Sequence, residues 1–239
     1  MRAAQFLGVM IAACLLCACA SVTPQNDAVN DPYEATNREI FQFNNRVNKH
    51  VTLPAAWVYV NYVPGGARRG ITNMLSNLGE PVNFANDVLQ GKPVRALHSA
   101  LRFAFNSTFG IAGLFDVATP NGLPVRPADF GQTLYVYGVP SGPFWVVPVI
   151  GPTTPRDFFG SVVDLAGDPL LYVPPGWTWG QRIGLTAGAR VVQPFENHAR
   201  NIVLRQQFSR GSVDPYITMR SVYRQQRAQE MGADDFGDE

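Results

Sequence analysis

Residues 137–157 read YGVPSGPFWVVPVIGPTTPRD, and the rest of the chain is best understood around them. Five prolines and three glycines surround the apolar run Phe144 to Ile150, and no charge appears before Arg156. Proline breaks the hydrogen-bond ladder of a helix interior or a central strand. The run also falls far short of the ~20 apolar residues of a spanning helix. The expectation is irregular backbone carrying apolar side chains. In water such a segment would be adhesive; in lipid its bare amides and carbonyls would be costly. It therefore calls for enclosure by helices, or for a place lining a cavity or contact surface. A Pro-rich loop packed on an ordinary core is the plainer alternative.

Downstream, Thr154-Pro155-Arg156-Asp157 has the pattern of a helix start, with threonine as N-cap and proline first, and Phe158, Val162 and Leu165 follow at helical spacing. Asp168 to Gly176 is a second apolar link with prolines. A long helical region is expected from Trp179 to Phe208, kinked or split at Pro194, and Asp214-Pro215-Tyr216 starts the last helix. Residues 225–239 hold few apolar side chains, end acidic and read as disordered.

Upstream, Asp31-Pro32-Tyr33-Glu34 looks like a capped helix start. Its helix would bury Ile40, Phe41 and Val47 and show Arg38, Asn44, Asn45, Arg46 and Asn48. Those asparagines suit either solvated surface or the lining of a wet cavity. Trp57 to Val63 has strand propensity. Short helices are expected over 67–78 and, opened by Glu80-Pro81, up to Gly91 as C-terminal glycine. After Lys92-Pro93 comes a stripe of Val94, Leu97, Leu101, Ala104 and Phe105, with Phe103 off it, so that helix is apolar over more than half its circumference. Such a helix is central or faces a membrane. The tally is seven or eight helices joined by Pro/Gly-rich apolar links: a mostly α chain, with one domain over 31–224.

Only 15% of the 239 residues are charged and 46% are apolar, a composition that leans toward an apolar partner or a membrane surface. The formal net charge of +1 gives no field for nucleic acid. Met1-Arg2 and the apolar stretch to Leu16 form a secretory signal, too short to span. Leu16-Cys17-Ala18-Cys19 resembles a bacterial lipobox. Cys19 is the favoured site of lipidation; Ile11-Ala12-Ala13-Cys14 also fits, with a shorter apolar region. Cutting before Cys19 removes residues 1–18 and leaves 19–30 as a polar tether. All three cysteines lie between positions 14 and 19, so the processed chain can form no internal disulfide.

Catalytic motifs are missing: there is no G-x-S-x-G, H-E-x-x-H, P-loop or G-x-G-x-x-G. His50, His98 and His198 each stand alone. Asp116, Asp157, Asp164 and Asp168 could include a carboxylate pair, although caps explain two of them more simply. Arg68, Arg69 and Arg156 could meet phosphate or simply water. No catalytic residue, metal or cofactor is expected.

DPYEATNREIF (31–41), SNLGEPVNFANDVLQGK (76–92), RFAFNSTFGIAGLFDVA (102–118), DFGQTLYVYGVPSGPFWVVPVIGPTTPRD (129–157), DPLLYV (168–173) and SVDPYITMRSVYRQQR (212–227) together resemble the MlaA (VacJ) outer-membrane lipoproteins. One departure is Pro140, where the family's loop usually has glycine. The resemblance implies a single ring-like helical body on the periplasmic side of the outer membrane, lipid-anchored and non-enzymatic, with an amphipathic channel. It implies removal of phospholipids mislocated to the outer leaflet and their transfer to a periplasmic carrier of the MlaC type, beside a trimeric porin, maintaining lipid asymmetry. It also implies helix in place of strand over Trp57 to Val63. The segment matching 137–157 would lie at or near the channel, making Tyr137, Gly138, Phe144, Trp145, Val147 and Ile150 candidate channel or loop residues. Asn44, Asn45 and Arg156 are candidates for its polar lining. A structural or interaction lipoprotein of the envelope, without lipid transport, is the alternative.

Overall fold

The computed structural model describes residues 30–172, 176–186, 188–189 and 212–232. The expected signal peptide, Cys19, nearly all of the tether, Pro194, His198 and residues 233–239 lie outside them. Seven bounded α-helices occur among the described residues: α1 (Glu34–Val47), α2 (Leu53–Tyr62), α3 (Gly65–Leu89), α4 (Pro93–Thr108), α5 (Phe130–Val136), α6 (Pro155–Ala166) and α7 (Pro215–Gly232). Residues 179–186 are helical as well. One small sheet pairs β1 (Trp145–Val147) with β2 (Gly151–Thr153) antiparallel. The mostly α architecture expected from the sequence is present.

Helix α1 begins at Glu34, later than its sequence suggests, and has no side-chain cap. The Glu34 carboxylate is drawn instead to Arg38 at 2.7 Å and Arg220 at 3.4 Å. A π-helical turn, Asn48–Thr52, joins α1 to α2, so the backbone stays helical from 34 to 62. Pro54 accounts for the widening: it has no N–H to continue the regular ladder. Trp57 to Tyr62, strand-like on propensity, is helical.

The two helices expected around Glu80-Pro81 are one. Helix α3 runs 25 residues straight through Pro81. An interior proline costs about 3 kcal/mol, and cross-helix bonds from Asn77 and Glu80 to α4 hold the turn in place across that break. Helix α5 starts at a capping box in which Gln132 N donates to Asp129 Oδ1 at 2.9 Å. Thr154 caps α6 and Asp214 caps α7 as their sequences suggest. Helix α7 continues through residue 232, so 225–232 is helix where disorder was expected. Arg227 supplies the reason, pairing with Asp129 at 2.7 Å and Asp157 at 2.9 Å.

The distribution of polarity departs from that of a water-soluble domain. Fully buried side chains include Arg102 and Glu80, each 1% exposed, along with Asn77, Asp87, Ser99 and Asn106. On α4, by contrast, Val94, Leu97, Leu101, Phe103 and Phe105 are all exposed. The stripe expected from the sequence exists; it faces outward. No helix among the described residues is long and apolar enough to cross a membrane.

Candidate functional site

The seam between α3 and α4 shows why the polar residues turn inward. Asn77, Glu80 and Asp87 recur on one face of α3; Arg95, Ser99, Arg102 and Asn106 recur at three- and four-residue spacing on α4. Glu80 accepts from Arg102 Nε at 2.7 Å, Ser99 Oγ donates to Asp87 at 2.9 Å, and Asn77 Nδ2 donates to Ser107 Oγ at 2.9 Å. Arg102 also donates to Thr119 Oγ1 and to Leu123 O. Asn106 Oδ1 accepts from the amides of Val117 and Ala118, both at 2.9 Å. A second seam links Asn86 to Asp164 and Thr133 at 2.9 Å each. Side-chain hydrogen bonds thus run along both seams, giving the buried polar groups partners within the protein.

After α4 the backbone turns through Ile111 and Ala112, with φ of 52° and 55°, and then Gly113. A Cβ on Gly113 would lie 2.6 Å from that of Asn77, so only glycine fits there. The turn leaves Phe109, Ile111, Leu114 and Phe115 exposed.

The segment 137–157 is more ordered than its composition suggests. Its core is the β1–β2 hairpin, in register Trp145 with Thr153, Val146 with Pro152 and Val147 with Gly151. Pro152 has no N–H for the ladder, and opposite it Val146 turns its own N–H to Asn37 Oδ1 at 2.9 Å. Asn37 Nδ2 donates to Phe144 O at 3.0 Å. Asn44 repeats the pattern, donating to Val147 O at 3.0 Å and accepting from Val149 N at 2.7 Å. At the tip, Ile150 N–H donates to Pro148 O at 2.8 Å around Val149, whose φ is 67°. This is a three-residue turn of the strained, left-handed kind, unusual for a β-branched residue. Val149 and Ile150 are 69% and 68% exposed.

The other side of the hairpin meets α7. Phe144, 0% exposed, packs in a T-shaped contact on Tyr216 at 6.3 Å and beside Tyr223 at 5.9 Å, with Ile40, Phe41 and Met219 around them. Tyr223 Oη donates to Asp157 at 2.7 Å, and Arg227 and Arg156 close on the same carboxylate. Burial, the largest single influence, would raise the Asp157 carboxyl; the hydrogen bond and charge of Arg227, the Tyr223 hydroxyl and the charge of Arg156 together outweigh it and hold the group at about 2.

The sequence-derived candidates therefore take different places. Phe144 is a core residue. Trp145 and Val147 lie half-buried in β1, and Ile150 is at the exposed tip. Tyr137 is exposed, with its hydroxyl on Leu89 O at 2.9 Å, and Gly138 follows it with φ 80°. Asn44 grips the hairpin backbone, and Asn45 is exposed. Arg156 is buried, its guanidinium engaged by Asp157 and Val139 O. Asn37, which composition did not single out, is the most buried of the hairpin's contacts on α1; its spacing of seven from Asn44 was the available signal.

The carboxylates are occupied structurally. Asp116 accepts from Thr119 and Asn106, Asp164 from Asn86 and Phe130 N, and Asp168 caps the short 3-10 turn at Leu170. Burial lowers the His98 imidazole below its ordinary value, and Arg126, Arg102 and Arg95 push the same way. His50 is exposed on the π-helical turn.

The model of the MlaA lipoprotein family matches residues 29–230. The chain is 35% identical to the Haemophilus influenzae intermembrane phospholipid transport system lipoprotein MlaA, covering 94% of this chain and 89% of that one. It is 34% identical to the Escherichia coli K12 protein of the same name, covering 87% and 81%. A solved structure described as "Structural basis for maintenance of bacterial outer membrane lipid asymmetry" superposes with a TM-score of 0.73 at 35% identity, over 84% of this chain and 98% of that one. By that family match and by relatives 34–35% identical over most of its length, the chain belongs to the MlaA lipoprotein family.

Proposed function

We propose that the chain is the outer-membrane lipoprotein of an intermembrane phospholipid transport system. It takes phospholipids mislocated to the outer leaflet and passes them to a periplasmic carrier, beside a trimeric porin, anchored through an acylated Cys19. The observation that carries this reading is the inversion of polarity. Exposed Val94, Leu97, Leu101, Phe103 and Phe105 suit hydrocarbon, while Glu80, Arg102, Asp87 and Asn106 are sealed inside. Such a body is stable where lipid is the solvent.

The pinned hairpin supplies the second element. Moving a headgroup past hydrocarbon is expensive unless polar groups accompany it. An apolar tip at Val149 and Ile150, on a backbone whose polar groups are already satisfied by Asn37 and Asn44, offers acyl chains a surface without presenting bare amides to them. Tyr137 and Gly138 stand at the other end of the segment. No bond is made or broken in this process.

Mass spectrometry of lipids on the purified protein, with and without the periplasmic carrier, tests the reading. Bound phospholipid that moves intact to the carrier is expected. Copurifying envelope proteins without lipid would favour a structural lipoprotein, and a lyso-product would indicate an enzyme.

A further inference from the structure

The elbow between α2 and α3 carries features that the hairpin and the polar seams do not use. From Ile40 to Gly79 the chain contains no aspartate or glutamate, yet it holds Arg46, Lys49, Arg68 and Arg69. Arg46, Lys49 and Arg69 are exposed, as is His50. Helix α2 is apolar nearly all round and touches chiefly the π-helical turn before it. Its Trp57 and Tyr62 are 61% and 75% exposed, and Val51 and Val58 are exposed beside them.

The elbow itself is held open. Val63 and Pro64 are extended, with ψ of 120° and 139°, between the end of α2 and the start of α3. Arg68 fixes this geometry: its Nε donates to Val63 O at 3.2 Å and its guanidinium lies 5.9 Å from the Tyr59 ring. Amphipathic aromatic rings, long cations and a short apolar helix in one acid-free stretch are the composition of an element lying at the boundary between headgroups and acyl chains.

We infer that the α2–α3 elbow docks on an anionic phospholipid surface, with Trp57, Val58 and Tyr62 entering the acyl boundary and Arg46, Lys49, Arg68 and Arg69 meeting lipid phosphates. The inference rests on the proposal that the protein works at a lipid membrane, and adds which lipid class this corner selects. A positive stretch without carboxylates matches a negative headgroup layer, whereas the exposed face of α4 carries no such charge and would accept any lipid.

A cysteine placed at the exposed Val58 would be the only one after Cys19, which gives a unique attachment point for an environment-sensitive dye. The full lipoprotein carrying Val58→Cys is mixed with phosphatidylcholine vesicles, with or without phosphatidylglycerol. The expected result is a blue-shifted, brighter dye only when phosphatidylglycerol is present. High salt should reverse the change, and Arg68→Gln and Arg69→Gln should weaken it about fivefold each. Arg69→Gln alone, which leaves the Arg68 contacts to the elbow intact, guards against an effect on folding. Flotation with both vesicle types and an identical dye signal in each would overturn the inference while leaving membrane association standing. A dye shielded equally with and without vesicles, by a copurifying protein, would assign the elbow to a protein partner and overturn it too. Failure to float with either vesicle would instead remove the membrane proposal beneath it.

Discussion

Asn44 follows Asn37 by two turns of α1, and the two carboxamides make the same pair of bonds to the hairpin, each joining the C=O of one residue and the N–H two positions on. A side-chain amide presents a donor and an acceptor side by side, so each asparagine acts as a short piece of partner strand. A segment with five prolines is thereby held in one conformation without a wider sheet.

Asn37→Ala leaves Phe144 O and Val146 N–H buried without partners. A cost of about 2–4 kcal/mol is expected, seen as a melting temperature about 10 °C lower in detergent. Asn44→Ala, nearer solvent, should cost less but should speed amide exchange at Val149. An exchange rate at Val149 unaffected by Asn44→Ala would mean that this clamp does not hold the tip.

Val149 is strained at φ 67° and buries little. Val149→Gly should raise stability by about 1 kcal/mol, read as a higher denaturant midpoint at unchanged slope. A lower midpoint would show that the valine side chain makes contacts that outweigh the strain.

Glu80→Gln removes one partner of a fully buried pair and should destabilise by about 3–5 kcal/mol. Glu80→Leu combined with Arg102→Met, which removes both charges, should cost clearly less than Glu80→Gln alone. Equal losses from the two variants would contradict the account of the seam. The ordering is measured by thermal denaturation of detergent-solubilised protein.

Asp157 titrates at about 2, below the ordinary 3.8, because Arg227 and its neighbours favour the charged form. A depressed carboxyl contributes stability above 3.8 that is lost as pH falls through about 2. Amides of α7 should therefore lose protection in that window before those of α4. Asp157→Asn should remove this pH dependence while lowering protection at neutral pH.

Proline-led caps at Thr154-Pro155 and Asp214-Pro215, the glycine end at Gly91 and the apolar stripe of α4 were legible in the sequence because they rest on local chemistry. The direction of the stripe was not. Hydrophobic periodicity gives the apolar face of a helix but not whether that face meets a core or a lipid tail, and here Arg102 and Asn106 take the interior. The continuity of α3 through Pro81 and the folding of 225–232 depend on partners distant in sequence: Glu80 with Arg102, and Arg227 with Asp129 and Asp157. Asn44 drew notice as a helix-interior asparagine, yet its role required knowing that Val147 and Val149 lie across from it. For the same reason Phe144, Trp145 and Val147 are poor positions for charged probes of function. Phe144→Asp would disrupt the core around Tyr216, whereas Ile150→Asp at the exposed tip tests lipid contact with the fold intact.

The central claim is that this chain clears phospholipid from the outer leaflet, and leaflet composition tests it most directly. Phospholipid accessible to a phospholipase added outside the cell is measured in the native host with the chain deleted, and after complementation by the wild-type chain or by Ile150→Asp. The account predicts a rise on deletion, return to the normal level with wild type, and incomplete return with Ile150→Asp at equal protein abundance. Accessible phospholipid that stays at the wild-type level after deletion would contradict it.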